Sequence, residues 1–310
     1  MTGDRFGGAG RDRAVSVEAW RSSGTFLDVG GHHVFVRDEP AAAHDADRPP
    51  LLVLHGFPTN SYDFASVLGA LAARRRVILP DFVGFGLSDK PDHRYSIRGA
   101  ADTIEGVAAA LGLTDVDLLS HDMGDSVAGE LLARDLDGSL GFAVRRRVIT
   151  NGSIYLELAQ LTTGQQLLLS LPDEAVQISD EARYTESLAA TCAPAHRPSD
   201  DELAAQWQLL THHGGDSLLA RTIRYIEDRR AEERRYTGAI EVHPSPLGIV
   251  WGELDPIAVH AMTDRLLEVR PDATRTTLTG VGHYPMVEAP ERFAAAVLAS
   301  FDGEAPPATM

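Results

Sequence analysis

The sequence predicts an α/β fold, in which an open and mostly parallel sheet carries helices on both faces. Strand-like runs alternate with helix-like runs along most of the chain. Leu51–Leu54, Val116–Leu119 and Gly248–Trp251 are continuously apolar, as buried parallel strands are. Gly30-Gly31 is a hairpin signal that joins the first two strands. We therefore expect an antiparallel pair followed by alternating strands and helices.

Each strand candidate is a short run of apolar or β-branched residues bounded by turn signals. The candidates are Thr25–Val29, His33–Arg37, Leu51–Leu54, Val77–Pro80, Val116–Ser120, Val148–Asn151, Leu247–Trp251 and Thr274–Leu278. The helix candidates between them carry apolar residues at helical spacing. They are Tyr62–Ala73, Ile97–Leu111, Val127–Arg134, His260–Val269 and Glu291–Phe301. The alternation predicts one sheet of eight strands in a single core.

After the sixth strand the alternation stops, and residues 152–244 show helical patterns without a convincing strand. The patterns are Ile154–Leu169, Asp180–Ala190, Asp200–Thr211 and Asp216–Tyr236. We interpret this stretch as a helical lid over the strand ends, inserted into a core formed by residues 17–151 and 245–302. The polar, glycine-rich start at residues 1–16 and the end at residues 303–310 are expected to be flexible tails.

The composition excludes several classes of partner. A net charge of -17 argues against binding to nucleic acid or to an anionic membrane. No apolar run reaches the ~18 residues of a membrane span, and the N-terminus lacks the apolar core of a signal peptide. The single cysteine, Cys192, is expected to be buried and cannot form an internal disulfide. We therefore expect a cytoplasmic enzyme without a metal or cofactor, and leave a homodimer open.

The segment Ser120 to Gly124 is the most informative motif, because it lies between a buried strand and a helix. Small residues two before and two after Asp122 are typical of a nucleophile elbow, where a strained turn exposes one side chain. Asp122 stands where such elbows usually have serine. A carboxylate nucleophile forms a covalent ester with the carbon that it attacks. For Asp122 considered alone, a helix cap is an equally good interpretation.

Two further residues follow strands and complete a catalytic order. Asp255 follows the strand Leu247–Trp251, and His283 follows the strand that ends at Leu278. The order of nucleophile, acid and histidine is that of a hydrolytic triad. His283, oriented by Asp255, would activate water against the ester. Asp255 precedes Pro256 and could alone be a turn residue; it is the joint occurrence at strand ends that is specific.

The oxyanion of ester hydrolysis needs two hydrogen-bond donors. The backbone N–H of Met123, next to the nucleophile, is one, and we assign the other to the N–H of Phe57 in the loop after the third strand. His55, Gly56 and Pro58 form the rest of that loop. We expect His55 to hydrogen-bond the loop rather than to take part in catalysis.

These motifs resemble the aspartate-nucleophile α/β-hydrolases, the family of epoxide hydrolases and haloalkane dehalogenases. The resemblance rests on residues 55–58, 81–88 and 120–124 together with Asp255 and Gly282-His283. Within the family, the chain is most similar to the group of the mammalian mesoderm-specific transcript protein and its bacterial relatives. The match extends roughly from Phe26 to Phe301 and is weakest in the lid. It implies the α/β-hydrolase fold with a lid after the sixth strand.

The resemblance also helps to distinguish dehalogenation from epoxide hydrolysis. Haloalkane dehalogenases usually hold the halide with a Trp after the nucleophile, whereas Met123 and Phe57 offer no side-chain donor. Epoxide hydrolases polarise the epoxide with two lid tyrosines, and Tyr225 lies where the second of these falls. A core position in the lid helix is the competing interpretation of Tyr225. Tyr155 and Tyr184 are the nearby residues for the other tyrosine, although neither matches the family position.

The sequence therefore predicts an epoxide hydrolase acting on a small apolar substrate. Asp122 would attack carbon, Tyr225 would protonate the oxygen, and His283 with Asp255 would drive hydrolysis to a diol. Dehalogenation through the same attack by Asp122 is the enzymatic alternative. A non-catalytic protein that binds or senses a ligand on a hydrolase fold is the alternative of another class.

Overall fold

The computed structural model describes residues 15–43, 48–176 and 179–303. Its strands are β1 Thr25–Val29, β2 His32–Glu39, β3 Leu51–Leu54, β4 Val77–Pro80, β5 Asp115–His121, β6 Ala143–Thr150, β7 Leu247–Gly252 and β8 Thr274–Leu278. They form one sheet in the order β1-β2-β4-β3-β5-β6-β7-β8. Strand β2 is antiparallel to both of its neighbours, and every other pairing is parallel. The predicted α/β fold with eight strands is confirmed.

The helices cover both faces of the sheet, so that β3, β4 and β7 are buried at every position. They are α1 Val17–Ser22, α2 Leu68–Leu71, α3 Ile97–Ala110, α4 Met123–Leu136, α5 Thr163–Ser170, α6 Glu181–Ala189, α7 Asp200–Thr211, α8 Leu219–Thr222, α9 Tyr225–Ala231, α10 Glu233–Val242, α11 Ala261–Val269, α12 Pro285–Glu288 and α13 Pro290–Asp302. Short 3₁₀ helices occupy Ser61–Phe64, Pro194–His196 and His212–Leu218.

Strand β6 begins five residues before the predicted start at Val148 and ends at Thr150 rather than Asn151. Its first half contains charged residues, and Arg145 and Arg146 are exposed at that end of the sheet. This charge hides the strand pattern. Asn151 leaves the strand with a φ of 51°, which ends the ladder one residue early.

Two core helices differ from the prediction. The predicted helix Tyr62–Ala73 is interrupted: a 3₁₀ helix at Ser61–Phe64 is followed by turns and then by α2 at Leu68–Leu71. The N–H of Ser61 donates to Asp81 Oδ1 at 2.8 Å and fixes the start of this segment. Helix α4 begins at Met123, immediately after the elbow, rather than at Val127. Helix α1 was not predicted; Ser16 caps it by accepting from the N–H of Ala19 at 3.2 Å.

Helices α5 to α10 lie between β6 and β7, where the described residues contain no strand. The predicted helix Ile154–Leu169 is wrong in its first half. There the N–H of Gln160 donates to the carbonyl of Ile257 at 3.0 Å, so the chain crosses the strand ends in turns. Helix α5 starts only after Thr162, which forms a capping box with Gln165. The predicted helix Asp216–Tyr236 is likewise broken into α8, α9 and α10.

Helix α10 approaches helix α4 closely. A Cβ on Gly129 of α4 would lie 2.6 Å from the carbonyl oxygen of Tyr236 in α10, so the glycine permits this packing. Cys192 is buried as predicted. Of the predicted tails, residues 1–14 and 304–310 lie outside the described residues. Along the part that the structure describes, no helix has the length and apolar character needed to cross a bilayer.

Candidate active site

Asp122 lies in a sharp turn between β5 and α4. Its φ of 51° and ψ of -115° fall in a region that L-residues rarely adopt, and its side chain is buried. A Cβ on Gly124 would lie 2.5 Å from the carbonyl oxygen of Leu54, so α4 can pack this close to β3 only with glycine there. The strained turn therefore fixes the Asp122 carboxylate at the carboxyl end of the sheet.

One oxygen of this carboxylate already occupies the predicted oxyanion site. Asp122 Oδ1 accepts a hydrogen bond from the N–H of Phe57 at 2.8 Å. The backbone N–H of Met123 also acts on this carboxyl and opposes the rise in its pKa that burial causes. A Cβ on Gly56 would lie 2.6 Å from Asp122 Cβ and 2.8 Å from Oδ1, which explains the glycine before Phe57.

His55 supports the loop that carries Phe57. Its Nε2 accepts from the N–H of Phe82 at 3.0 Å, so the ring hydrogen is on Nδ1 and is donated to the carbonyl of Gly56 at 2.9 Å. Burial lowers the pKa of His55 and favours this neutral form. Pro58, the last residue of the loop, lines the cavity described below.

The structure brings the predicted acid, base and nucleophile together. His283 Nδ1 lies 2.8 Å from Asp255 Oδ2, and His283 Nε2 lies 3.6 Å from Asp122 Oδ2. The other oxygen of Asp255 accepts from the N–H groups of Ile257 and Ala258 at 2.7 and 3.0 Å. Asp255 is thus fixed from the backbone and holds the imidazole with Nε2 towards the nucleophile.

The negative charges of Asp122 and Asp255 raise the pKa of His283. Burial lowers its pKa, but the attraction and hydrogen bond of Asp255, together with the attraction of Asp122, raise it to about 9. Burial raises the pKa of Asp122, whereas His283 and the N–H of Phe57 oppose that shift. Loss of the negative charge on Asp122 would therefore lower the pKa of His283 and favour the neutral imidazole, which can act as a base.

Asn151 is a site residue that sequence analysis missed. Its Nδ2 donates to Asp255 Oδ2 at 2.7 Å, and its Oδ1 accepts from the N–H of Gly252 at 3.0 Å. Its left-handed φ turns the side chain towards the triad. Its place directly after a parallel strand was the available signal, since such positions line sites in α/β folds.

Glu288 is the second missed residue, and it holds the loop around His283. Its Oε2 accepts from the N–H groups of Gly282 at 2.7 Å and Ala193 at 2.8 Å, while Oε1 accepts from the N–H of Tyr284 at 2.9 Å. The carboxylate is buried and joins the residues flanking His283 to the lid. The sequence offers no signal for this role, because an acid in a short helix is usually a dipole partner.

A cavity of about 540 Å³ lies between the core and helices α5 and α6. Phe57 and His283 are on its wall, which is otherwise largely apolar and includes Leu168, Leu188, Leu219 and Ile257. Tyr184 of α6 also lines it, and its buried Oη has no hydrogen-bond partner among the described residues. The Oη of Tyr155, by contrast, donates to Glu241 at 2.9 Å and is engaged within the lid.

Tyr225 is the first residue of α9, is buried, and packs against Phe57. The two ring centroids are 5.6 Å apart. Burial and the nearby Asp122 carboxylate raise the pKa of Tyr225, so the phenol keeps its proton. A second cavity, of about 350 Å³, has Tyr225 and Met123 on its wall. Within the described ranges, no three His, Cys, Asp or Glu side chains are grouped as metal ligands.

Comparison with known proteins identifies the family of this chain. Residues 51–296 match the model of the Alpha/beta hydrolase family. "Putative hydrolase LipZ" of Mycobacterium tuberculosis is 43% identical over 285 residues, which cover 91% of this chain and 97% of LipZ. The human mesoderm-specific transcript homolog protein is 32% identical over 290 residues, which cover 90% of this chain and 85% of that protein.

Solved structures share the fold at lower identity. Epoxide hydrolase CorEH superposes with a TM-score of 0.69 at 19% identity, covering 90% of this chain and 98% of that one. A thermophilic esterase from Thermogutta terrifontis superposes with a TM-score of 0.70 at 19% identity, covering 90% and 97%. An alpha/beta hydrolase fold protein from Burkholderia ambifaria gives 0.68 at 24% identity, covering 88% and 96%.

Proposed function

The chain belongs to the alpha/beta hydrolase family, and from that premise we propose that it converts small apolar epoxides to vicinal diols through an alkyl ester of Asp122. One observation supports this proposal most: the two oxygens of the Asp122 carboxylate have different partners. Oδ1 takes the N–H of Phe57, whereas Oδ2 faces the imidazole of His283. A carboxylate held in this way presents one oxygen for attack and keeps the other where the later oxyanion forms.

In the first step, Asp122 Oδ2 attacks an epoxide carbon and the carbon–oxygen bond of the ring breaks. The oxygen that leaves takes up the proton of the Tyr225 phenol, which becomes phenolate. Burial and Asp122 keep that phenol protonated beforehand. Tyr184, whose buried Oη has no partner among the described residues, lies with His283 on the wall of the 540 Å³ cavity and is a second phenol that can donate to an oxygen bound there.

In the second step, His283 takes a proton from water and the hydroxide adds to the ester carbonyl of Asp122. Negative charge develops on Oδ1, which the N–H groups of Phe57 and Met123 stabilise. Collapse of this intermediate breaks the bond between the carboxyl carbon and Oδ2, and the departing alkoxide takes the proton from the His283 imidazolium. The second proton of the water passes through solvent to the Tyr225 phenolate, which restores carboxylate, imidazole and phenol. Asp255 stabilises the imidazolium that forms, as its 2.8 Å contact with Nδ1 allows.

The surroundings of the nucleophile favour an epoxide over a haloalkane. Halide release needs side-chain donors near the attacked carbon, and neither Met123 nor Phe57 has one. The mostly apolar cavity favours an uncharged substrate, since a charged group would lose its hydration there. The support that Glu288 and Asn151 give to His283 and Asp255 favours turnover over ligand binding alone.

The variant His283→Gln tests this proposal, because it should form the ester and fail to hydrolyse it. After incubation with styrene oxide, intact-protein mass spectrometry should show the protein plus one substrate, and peptide mapping should find the adduct on Asp122. Asp122→Asn is the control and should stay unmodified. Diol formation by wild type without an adduct in His283→Gln would overturn the covalent route. Faster halide release from bromoalkanes than diol formation would favour dehalogenation.

A further inference from the structure

Arg229, on α9, is a buried cation without an ordinary partner. Its side chain is 2% exposed, and its Nε and Nη1 have no hydrogen-bond partner among the described residues. Its guanidinium carbon lies 5.6 Å from the centroid of the Tyr225 ring. An arginine keeps its proton in a protein, and a buried charge without a partner opposes folding. Another interaction must therefore stabilise the buried positive charge of Arg229.

Arg224, which directly precedes α9, shows what an ordinary lid arginine does. Its Nε donates to Asp173 at 2.6 Å and its Nη1 donates to Glu227 at 2.9 Å. Arg229 has no such carboxylate within hydrogen-bonding distance along the described chain. The guanidinium instead lies over the ring of Tyr225, where it interacts with the π electrons.

Arg229 influences Asp122 and Tyr225, the two groups whose charges change in the first step of the proposed reaction. Its positive charge lowers the pKa of Asp122 and also that of Tyr225, although burial has the larger, opposite effect on both. Attack on the epoxide removes the negative charge from Asp122. Proton donation then creates a negative charge on Tyr225. The net charge of the two groups is unchanged, and the buried cation of Arg229, which lies over the Tyr225 ring, acts electrostatically on both of them.

Resting on the proposed epoxide chemistry, we propose that Arg229 is a positioning residue that stabilises the negative charge as it passes from Asp122 to Tyr225. The guanidinium acts through the phenol rather than by touching the substrate. Phenolate is a stronger cation–π partner than phenol, so the contact strengthens as the proton leaves. Asp122 is the other charged group that acts on Tyr225, and the 350 Å³ cavity that Tyr225 lines also has His32, His93, Tyr95 and Asp102 on its wall.

The kinetic test compares Arg229→Met with Arg229→Lys. The neutral variant should slow ester formation by roughly 10²-fold, as loss of a transition-state donor does, and leave ester hydrolysis within about 3-fold of wild type. Lysine keeps the charge and should restore most of the rate. Arg230→Met is the matched control, because Arg230 is the exposed neighbour on the same helix. Equal impairment in the lysine and methionine variants would indicate packing rather than charge and would overturn the proposal.

A second readout needs no turnover. Tyr225 is replaced by 3,5-difluorotyrosine, whose fluorine atoms bring the phenol pKa into a measurable range, and ¹⁹F NMR follows its titration. Arg229→Met should move the midpoint to higher pH, and Arg229→Lys should not; an unmoved midpoint in the methionine variant would refute the role. Arg229→Gln gives the same comparison if the methionine variant does not fold. If wild type forms no ester, the proposed function fails, while this titration still shows whether Arg229 stabilises the phenolate of Tyr225.

Discussion

Replacement of Glu288 by glutamine should impair both the stability of the protein and the second half-reaction. The carboxylate accepts three backbone hydrogen bonds, from Gly282, Ala193 and Tyr284, at 2.7 to 2.9 Å. A glutamine in the same position has one acceptor oxygen. If that oxygen keeps the two bonds of Oε2, its amide group faces the N–H of Tyr284, and donor then faces donor.

The magnitude follows from those three bonds. One buried N–H without an acceptor costs about 2 kcal/mol. The two bonds that remain change from charge-assisted to neutral, which costs about 1 kcal/mol each. Burial of a neutral amide is easier than burial of a carboxylate, and this offsets part of the loss. We expect Glu288→Gln to lower the free energy of unfolding by about 2–4 kcal/mol.

Urea denaturation of Glu288→Gln measures the stability change, and single-turnover kinetics measure the two half-reactions. Because Gly282 and Tyr284 flank His283, hydrolysis of the ester should slow by about 10-fold or more, whereas ester formation should slow less. Glu291→Gln is the matched control, since Glu291 is an exposed acid at the start of α13. A Glu288→Gln protein that unfolds at the wild-type urea concentration and hydrolyses its ester at the wild-type rate would show that Glu288 does not hold the loop around His283.

Three further predictions concern the carboxylate and the lid. Gly56→Ala places a Cβ 2.8 Å from Asp122 Oδ1, so ester formation should fall roughly 10²-fold in stopped-flow assays, and a wild-type rate would contradict the placement of the loop. Asp122→Asn removes a negative charge that raises the pKa of His283, so NMR titration of the imidazole should find that pKa below about 9, and an unchanged value would show that Asp122 does not act on it. Tyr184→Phe should slow ester formation by about 10-fold, the effect of losing a hydrogen bond of about 1.4 kcal/mol, while Tyr155→Phe should not, and equal rates in the two variants would exclude Tyr184 as a donor.

The sheet could be predicted from the sequence because buried parallel strands are continuously apolar. That rule identified β3 and β7 with little error, and it failed at the start of β6, where Arg145 and Arg146 are exposed. The helices between β6 and β7 were harder to predict. Turns that are also apolar continue the helical spacing, so the sequence pattern suggests helices that are too long. The capping box at Thr162 was visible and marks the true start of α5.

In the candidate site, Asp122, Asp255 and His283 could be found because each follows a strand of one sheet. Asn151 also follows a strand, but its role in the site was not predicted because the sequence pattern placed it at the end of β6. Glu288 could not be found, since its role depends on which backbone N–H groups the fold brings around it. Tertiary packing rather than local pattern selects such residues.

Asp122 is the proposed nucleophile, and a single turnover in ¹⁸O-labelled water shows whether its carboxylate supplies the new oxygen of the diol. With enzyme in excess over an apolar epoxide, the diol of the first turnover should be unlabelled, because its new oxygen comes from the Asp122 carboxylate. Mass spectrometry of the digested protein should find ¹⁸O in the peptide that contains Asp122, since water attacks the ester carbonyl. Label in the first diol, with none in Asp122, would contradict the account.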